Sequence, residues 1–313
     1  MAQPAGILVT GSHRSGTTWV GRTICASPEY AYIHEPFNVD YAPVLQAIRL
    51  DKAFTYVCEE NEGRHIDWMR RRLRFEVGAR AALGAVVERP RSAAFVAAEM
   101  IRQMVWRLRR RAPLMKDPLA FFSAQWLAER FDLKPVVMIR NPVAFVGSIK
   151  AANWYHSFDD FLSQPLLMRD HLGPFEAEMR DQRSRGGDIV DNAILLWNII
   201  YHVARRYREV QSQWLFVTHE ELSRQPLKGF GVIFEYAGVP YTEKLRSAVL
   251  STTDSSNHAS RYGLHEIRRD SRSNLDTWRT RLTPDEVATV YERTHEVARC
   301  FYSDEQLSSL RFD

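Results

Sequence analysis

Eight residues near the start of the chain carry the first chemical signal. Gly11-Ser12-His13-Arg14-Ser15-Gly16-Thr17-Thr18 has a G-x-x-x-x-G-x-[ST] frame, the pattern of a loop that cradles a phosphate-like anion between a strand and a helix. Glycines at both ends let backbone N–H groups turn inward, and the helix that follows adds partial positive charge. The lysine of the nucleotide-triphosphatase version is missing. Thr17 stands in its place, and the cation is Arg14, inside the loop. A second departure lies at residues 136–140. In ATP-using relatives a buried strand of this kind commonly ends in an aspartate that helps hold magnesium, whereas here it ends in Arg140. A guanidinium repels a metal ion and can grip a phosphate with two parallel hydrogen bonds. The pair therefore reads as built for an anion that travels without magnesium, and no metal is expected.

The elements that must position these residues follow from the apolar pattern. Residues 6–11 read as a short buried strand, 17–27 as a helix and 30–33 as a second strand. Residues 94–111 read as a helix, with Phe95, Ala98, Ile101, Val105 and Leu108 at helical spacing and arginines in the last turn, where they complement the dipole. A short strand at 114–115, a helix at 120–131 and a strand at 135–139 come next. Asn141 as N-cap and Pro142 at the first helical position open a helix to about residue 152. A long helix at 189–208, a strand at 215–217 and a helix at 284–301 complete the series. Short apolar strands alternating with helices mean an α/β fold: a P-loop-type three-layer sandwich, its central parallel sheet flanked by helices. Ligands of such sheets bind at the carboxyl ends of the strands.

The bulk properties set limits. The chain has 313 residues, 45% hydrophobic and 26% charged, with no internal repeat or low-complexity linker. That composition excludes a mostly disordered chain. One domain over 1–313 is expected, with 40–113 and 153–188 as helical or irregular insertions. Three widely spaced cysteines with no C-x-x-C pair argue against a disulfide framework or a zinc site. No stretch reaches eighteen uninterrupted apolar residues, and the first strand begins too early to leave room for a signal peptide. A cytoplasmic location is therefore expected. The formal charge of +4 and pI near 9.0 suit an anionic partner, but no nucleic-acid motif accompanies them.

Arg14-Ser15-Gly16-Thr17-Thr18-Trp19 closely resembles the K-S-G-T-T-W segment of sulfotransferases that use 3′-phosphoadenosine 5′-phosphosulfate (PAPS), with arginine for lysine, as in many bacterial and carbohydrate-acting members. Val137-Met138-Ile139-Arg140-Asn141-Pro142, with Ser148 eight residues beyond Arg140, resembles that family's 3′-phosphate motif. Leu215 to Leu222 resembles its later strand and "YEDL" segment, although His219 stands where tyrosine is usual. Asn274 to Leu282 resembles its C-terminal nucleotide loop. These matches run from about residue 7 to 300. The resemblance implies that Arg14, Ser15, Gly16, Thr17 and Thr18 hold the 5′-phosphosulfate, that Trp19 lies beside the adenine, and that Arg140 and Ser148 bind the 3′-phosphate. Arg268, Arg269 and Arg272 are candidates to close over the nucleotide, Arg272 first. A sulfuryl group, less charged than a γ-phosphoryl, suits a loop without lysine or magnesium.

Sulfuryl transfer needs an acceptor hydroxyl, a base for its proton and cations for the leaving oxygen. Arg14 is one cation and Lys116 the second, with Asp117 able to orient it. Small-molecule members of the family carry a histidine base two residues after that lysine, and here Pro118 occupies the position. Glu35, at the end of the second strand, is the expected replacement, with His34 in reserve. A carboxylate beside a desolvated cleft is expected to have its pKa raised toward the working pH. The acceptor is expected to be a hydroxylated small molecule, with a saccharide, glycolipid or other glycosylated metabolite favoured. The two insertions, expected on the acceptor side, mix charges with aromatics (Trp68, Phe75, Trp154, Tyr155, Phe158 and Phe161 among them); such faces suit lipids or phenols too. Two rivals stay open. A P-loop small-molecule kinase would need magnesium and ATP, and a non-catalytic anion-binding module would bind polymers with strong salt dependence.

Overall fold

The protein is described by a computed structural model, and the structure describes residues 4–39, 50–76, 93–253 and 275–310. Five strands form one parallel sheet: β1 (Gly6–Gly11), β2 (Tyr30–His34), β3 (Ala112–Lys116), β4 (Leu133–Ile139) and β5 (Leu215–Thr218), in the order β2-β3-β1-β4-β5. The principal helices are α1 (Thr17–Ile24), α2 (Ile66–Leu73), α3 (Ala93–Leu108), α4 (Ala124–Phe131), α5 (Pro142–Ala152), α6 (Glu176–Arg185) and α7 (Ile189–Val210). They continue as α8 (His219–Arg224), α9 (Pro226–Ala237), α10 (Glu243–Thr253) and α11 (Pro284–Ala298).

The strands are buried on both faces, so they read as continuous apolar runs, and alternate side chains feed opposite cores. Ile7 and Val9 of β1 join Val20 and Ile24 of α1 and Phe230, Ile233 and Phe234 of α9. Leu8, between them in sequence, joins Phe145 and Ile149 of α5 and Leu196 and Ile200 of α7 on the other face. This is the three-layer sandwich the sequence implies.

Register decides where function can sit. Val9 lies opposite Lys116, His34 opposite the same Lys116, Gly11 opposite Met138, and Ile139 opposite Thr218. The residues that follow the strands, Ser12, Glu35, Asp117, Arg140 and His219, therefore emerge along one edge. The chain also turns from one side of β1 to the other between β3 and β4, the kind of switch point at which open sheets bind ligands.

Asn141 caps α5 as its sequence predicts: its backbone is extended and its Oδ1 accepts from the Ala144 N–H at 2.7 Å. One helix face differs from expectation. On α3 the buried residues are Val96 and Gln103, while Phe95, Ile101 and Leu108 are exposed. The helix is apolar on several sides, so periodicity alone does not select the packed one. Among the described residues no helix is long and apolar enough to cross a membrane.

Candidate active site at the carboxyl edge of the sheet

The loop between β1 and α1 is shaped by its two glycines. Gly11 has φ +134, and a Cβ there would run into the Met138 carbonyl of the neighbouring strand. Gly16 has φ +92, and a Cβ would meet His219 Nδ1 at 2.8 Å. Gly16 is also the N-cap of α1, so no side chain caps that helix, and no acidic residue stands in its first turn. The first N–H groups of a helix lack intrahelical partners. Here nothing negative on the helix itself competes for them, which is the electrostatic condition for seating an anion. Gly11→Ala is expected to cost about 3 kcal/mol or more, as backbone strain plus a clash with a buried carbonyl. Urea unfolding checks it: an unchanged midpoint would show that the bend is not enforced.

Arg14, also in left-handed backbone (φ 62), sends its side chain outward rather than into the loop. Its Nε donates to Ser148 Oγ at 2.8 Å, and its guanidinium lies 5.5 Å from the Trp154 ring centroid. Arg140, ending β4, donates from Nη1 to the Arg14 carbonyl oxygen. The two arginines expected at opposite ends of a nucleotide are thus neighbours across one loop. Ser15 turns inward, donating to the Ser12 carbonyl at 2.6 Å.

Arg140 sits in a buried polar frame that the sequence reading missed. Tyr201 OH accepts from the Arg140 backbone N–H at 2.9 Å and shares a 2.6 Å hydrogen bond with Ser12 Oγ, and Trp197 Nε1 donates to the Arg140 carbonyl at 3.0 Å. Trp197 and Tyr201 are four residues apart on α7, so both polar tips lie on one helix face. That spacing was the available signal. Glu220 fastens the next residue: its Oε1 accepts from Asn141 Nδ2 at 2.9 Å and its Oε2 from Tyr302 OH at 2.7 Å. Burial lowers the Arg140 pKa, with Glu220 opposing. Arginine stays charged nonetheless, and its buried Nε has no hydrogen-bond partner among the described residues.

On the other side of β1, Lys116 is 1% exposed and its ammonium meets Glu35 Oε1, while Glu35 Oε2 accepts from Asn38 Nδ2 at 2.6 Å. The Glu35 backbone (φ 37) is held by bonds from its N–H to the Lys116 carbonyl (2.9 Å) and from Asn38 N–H to its own carbonyl (3.1 Å). Burial pushes the Glu35 carboxyl up, but the Lys116 charge and the hydrogen bonds from Lys116 and Asn38 outweigh it. The carboxyl is held below its ordinary value, and this corrects the expected upward shift. Asp117 does not orient Lys116. Its oxygens accept from the N–H groups of Phe37 (2.6 Å) and Leu119 (2.9 Å), tying the two loops together. Burial pushes Asp117 up to about 7, against those amide bonds. His34 stacks on Tyr32, their ring centroids 5.9 Å apart, and does not line the cavity.

That cavity, about 660 Å³, brings together Arg14, Gly16, Thr17, Thr18, Trp19, Glu35, Arg140 and Ser148. Ser15 and Lys116 lie behind its wall. Trp19 is half-buried, donates to Thr252 Oγ1 at 3.0 Å and packs edge-on against Phe230 and His219. The cavity also takes in Trp154, from the stretch expected on the acceptor side, and His13, His219 and Arg281, which were given no role from sequence. Arg281 lies within the segment, Asn274 to Leu282, that resembles the nucleotide loop. Arg272, with Arg268 and Arg269, lies outside the described residues.

An α/β sandwich with an uncapped helix at its central strand, a partly buried arginine ending the next strand and an acid–lysine pair on the other side defines a group-transfer site for an anionic donor. The chain matches the model of the sulfotransferase family over residues 4–243, and it belongs to that family. It is similar in fold to the sulfotransferase domain of the olefin synthase from Synechococcus PCC 7002, at 16% identity over 97% of each chain with a TM-score of 0.50. Weaker likenesses are the sulfotransferase domain from the curacin biosynthetic pathway (14% identity over 94% of this chain and 99% of that one, TM-score 0.46) and sulfotransferase STF9 from Mycobacterium avium (14%, 96% and 78%, TM-score 0.45). No curated protein is similar enough to this chain to match it.

Proposed function

We propose that this enzyme transfers the sulfuryl group of PAPS to an acceptor hydroxyl, releasing 3′-phosphoadenosine 5′-phosphate. The observation that carries the reading is Arg140: a partly buried guanidinium beside the anion-binding loop, on a backbone framed by Tyr201 and Trp197, at the strand end where a magnesium-holding carboxylate would otherwise stand. The chemistry of that donor set suits a phosphate and opposes a divalent cation. Arg140 and Ser148 serve the 3′-phosphate. The loop from Arg14 to Thr18 and the N-terminus of α1 serve the 5′-phosphosulfate, and Trp19 serves the adenine. Arg272 closes over the nucleotide.

In the transfer itself the acceptor oxygen bonds to sulfur as the bridging S–O bond breaks. The bonding pair leaves with the 5′-phosphate, and the hydroxyl proton passes to Glu35. Lys116 and Arg14 neutralise the leaving oxygen. The Glu35–Lys116 pair links these events: as the ammonium turns toward the leaving oxygen, its hold on the carboxylate weakens and the carboxylate becomes a stronger base. The whole chain acts as one catalytic domain, with 40–113 and 153–188 toward the acceptor. The acceptor is an alcohol, and a saccharide or glycolipid would use the aromatic faces at the cavity mouth.

Thermal unfolding tests the donor. At a hundredfold excess over its Kd, 3′-phosphoadenosine 5′-phosphate should stabilise the fold by about 2.7 kcal/mol, and ATP with magnesium at the same concentration by much less. Equal or greater stabilisation by ATP–magnesium overturns the reading in favour of a kinase.

A further inference from the structure

Part of the cavity is walled by rings. His13 packs edge-on against Phe54, with centroids 5.0 Å apart, and faces Trp154 at 6.4 Å. Phe54 meets His156 at 5.7 Å, and His156 is backed by Phe161 at 4.5 Å. Leu119, Val39 and Ala53 also line the cavity. Trp154 is 41% and Tyr155 51% exposed, an unusual degree for large rings at a cavity mouth.

The charges in this part are few and committed. Glu35 is taken by Lys116 and Asn38, and the Arg14 guanidinium bonds Ser148 and lies over Trp154. Both histidines are neutral near pH 7. Burial pulls His13 down to about 4, with Glu35 opposing and Lys116 and Arg14 adding, and burial pulls His156 to about 3, with His13 adding. His13 makes no hydrogen bond to a described residue, yet it lines the cavity beside the loop and within electrostatic reach of Glu35. A saccharide presents several hydroxyls that need an array of fixed polar partners when buried, and an anionic acceptor needs an uncommitted cation. Among the described residues rings predominate on this wall, with Asn153 and the Tyr155 hydroxyl as its few further polar groups.

We infer that the acceptor is an uncharged, largely apolar alcohol, aryl or long-chain alkyl, laid against Trp154 and Phe54 with its hydroxyl directed to Glu35 past the His13 imidazole. The inference rests on the sulfuryl-transfer reading and sets an apolar alcohol in place of the saccharide as its acceptor. His13 acts as a positioning residue, accepting or donating one hydrogen bond at the reacting hydroxyl.

The test is a transfer assay with sulfur-labelled PAPS and four acceptors: 2-naphthol, 1-decanol, a methyl hexoside and 4-hydroxybenzoate. Donor binding is verified separately by the thermal shift with 3′-phosphoadenosine 5′-phosphate. The expected result is kcat/KM for naphthol or decanol at least about tenfold above that for the hexoside and the carboxylate. Trp154→Ala should raise the KM for naphthol by about tenfold with a smaller effect on kcat, and Trp154→Phe should restore most of it. Preference for the hexoside or the carboxylate overturns the inference, as does transfer to neither apolar alcohol while the nucleotide still stabilises the fold. Loss of the thermal shift itself would instead sink the donor assignment.

Discussion

Glu35→Gln will slow turnover by about 10²- to 10⁴-fold, the usual yield of a positioned base, while 3′-phosphoadenosine 5′-phosphate continues to raise the melting temperature. Glutamine keeps the shape of the side chain, and its single oxygen can accept from Lys116 Nζ while its amide nitrogen loses the bond from Asn38 Nδ2. The backbone bonds of residue 35 to Lys116 and Asn38 still hold the loop, so the main loss falls on proton transfer. Single-turnover measurements with saturating donor isolate the chemical step, and near-normal rates there would remove Glu35 from the mechanism. The pH profile offers a second reading. The folded-state pKa of Glu35 is depressed, so the carboxylate persists below the ordinary carboxylate range, and the acid limb of kcat/KM should lie there. In the glutamine variant that limb should vanish.

The same pair stabilises the fold, with a definite sign. A depressed folded-state pKa contributes stability above the unfolded carboxylate pKa and loses it as pH falls through the folded value. The glutamine variant should therefore lose stability mainly at neutral pH, because it leaves the buried Lys116 ammonium without its counter-charge. Replacing Lys116 with Met as well removes that uncompensated charge. Stability is thereby separated from catalysis: the double variant should refold well and remain inactive.

What the sequence disclosed was whatever local pattern can hold. The glycine loop, the arginine ending the buried run at 136–139 and the Asn141–Pro142 helix start are each encoded within a few neighbouring residues, and each appears where the pattern puts it. The Glu35–Lys116 contact joins residues 81 positions apart. It exists because β2 pairs with β3 in a register that sets His34 opposite Lys116. No local pattern specifies strand order, so the carboxylate was read as merely desolvated, and the direction of its shift came out reversed. The frame around Arg140 is similarly non-local, drawn from Ser12, Tyr201, Glu220 and Tyr302. Helices α9 and α10 escaped because Gly229 and Gly231 interrupt the first and the second has a weak apolar stripe, with only Leu245 and Val249 buried. The aromatic wall shows the same limit: Phe54, His13 and Trp154 lie far apart in the chain, and only the fold makes them one surface.

Arg140→Lys will lower affinity for 3′-phosphoadenosine 5′-phosphate by about 30- to several-thousand-fold, the 2–5 kcal/mol associated with losing one partner of a buried, hydrogen-bonded charge pair. Lysine retains the charge but not the planar fork, so a site that works by bidentate contact suffers even from this substitution. The loss should be selective. ADP, which shares the adenosine 5′-phosphate but lacks the 3′-phosphate, should bind the variant nearly as well as it binds the parent, so the preference for the bisphosphate collapses. Titration calorimetry with both nucleotides measures the two affinities directly. One complication has its own control. Arg140 also donates to the Arg14 carbonyl and so helps shape the loop that would seat the 5′-phosphate. Damage confined to the loop would weaken both nucleotides equally, whereas loss of a 3′-phosphate contact weakens only the bisphosphate. Equal weakening would therefore move Arg140 from the nucleotide to the scaffold, and the specificity would have to come from another cation lining the same cavity, with Arg281 the first to replace.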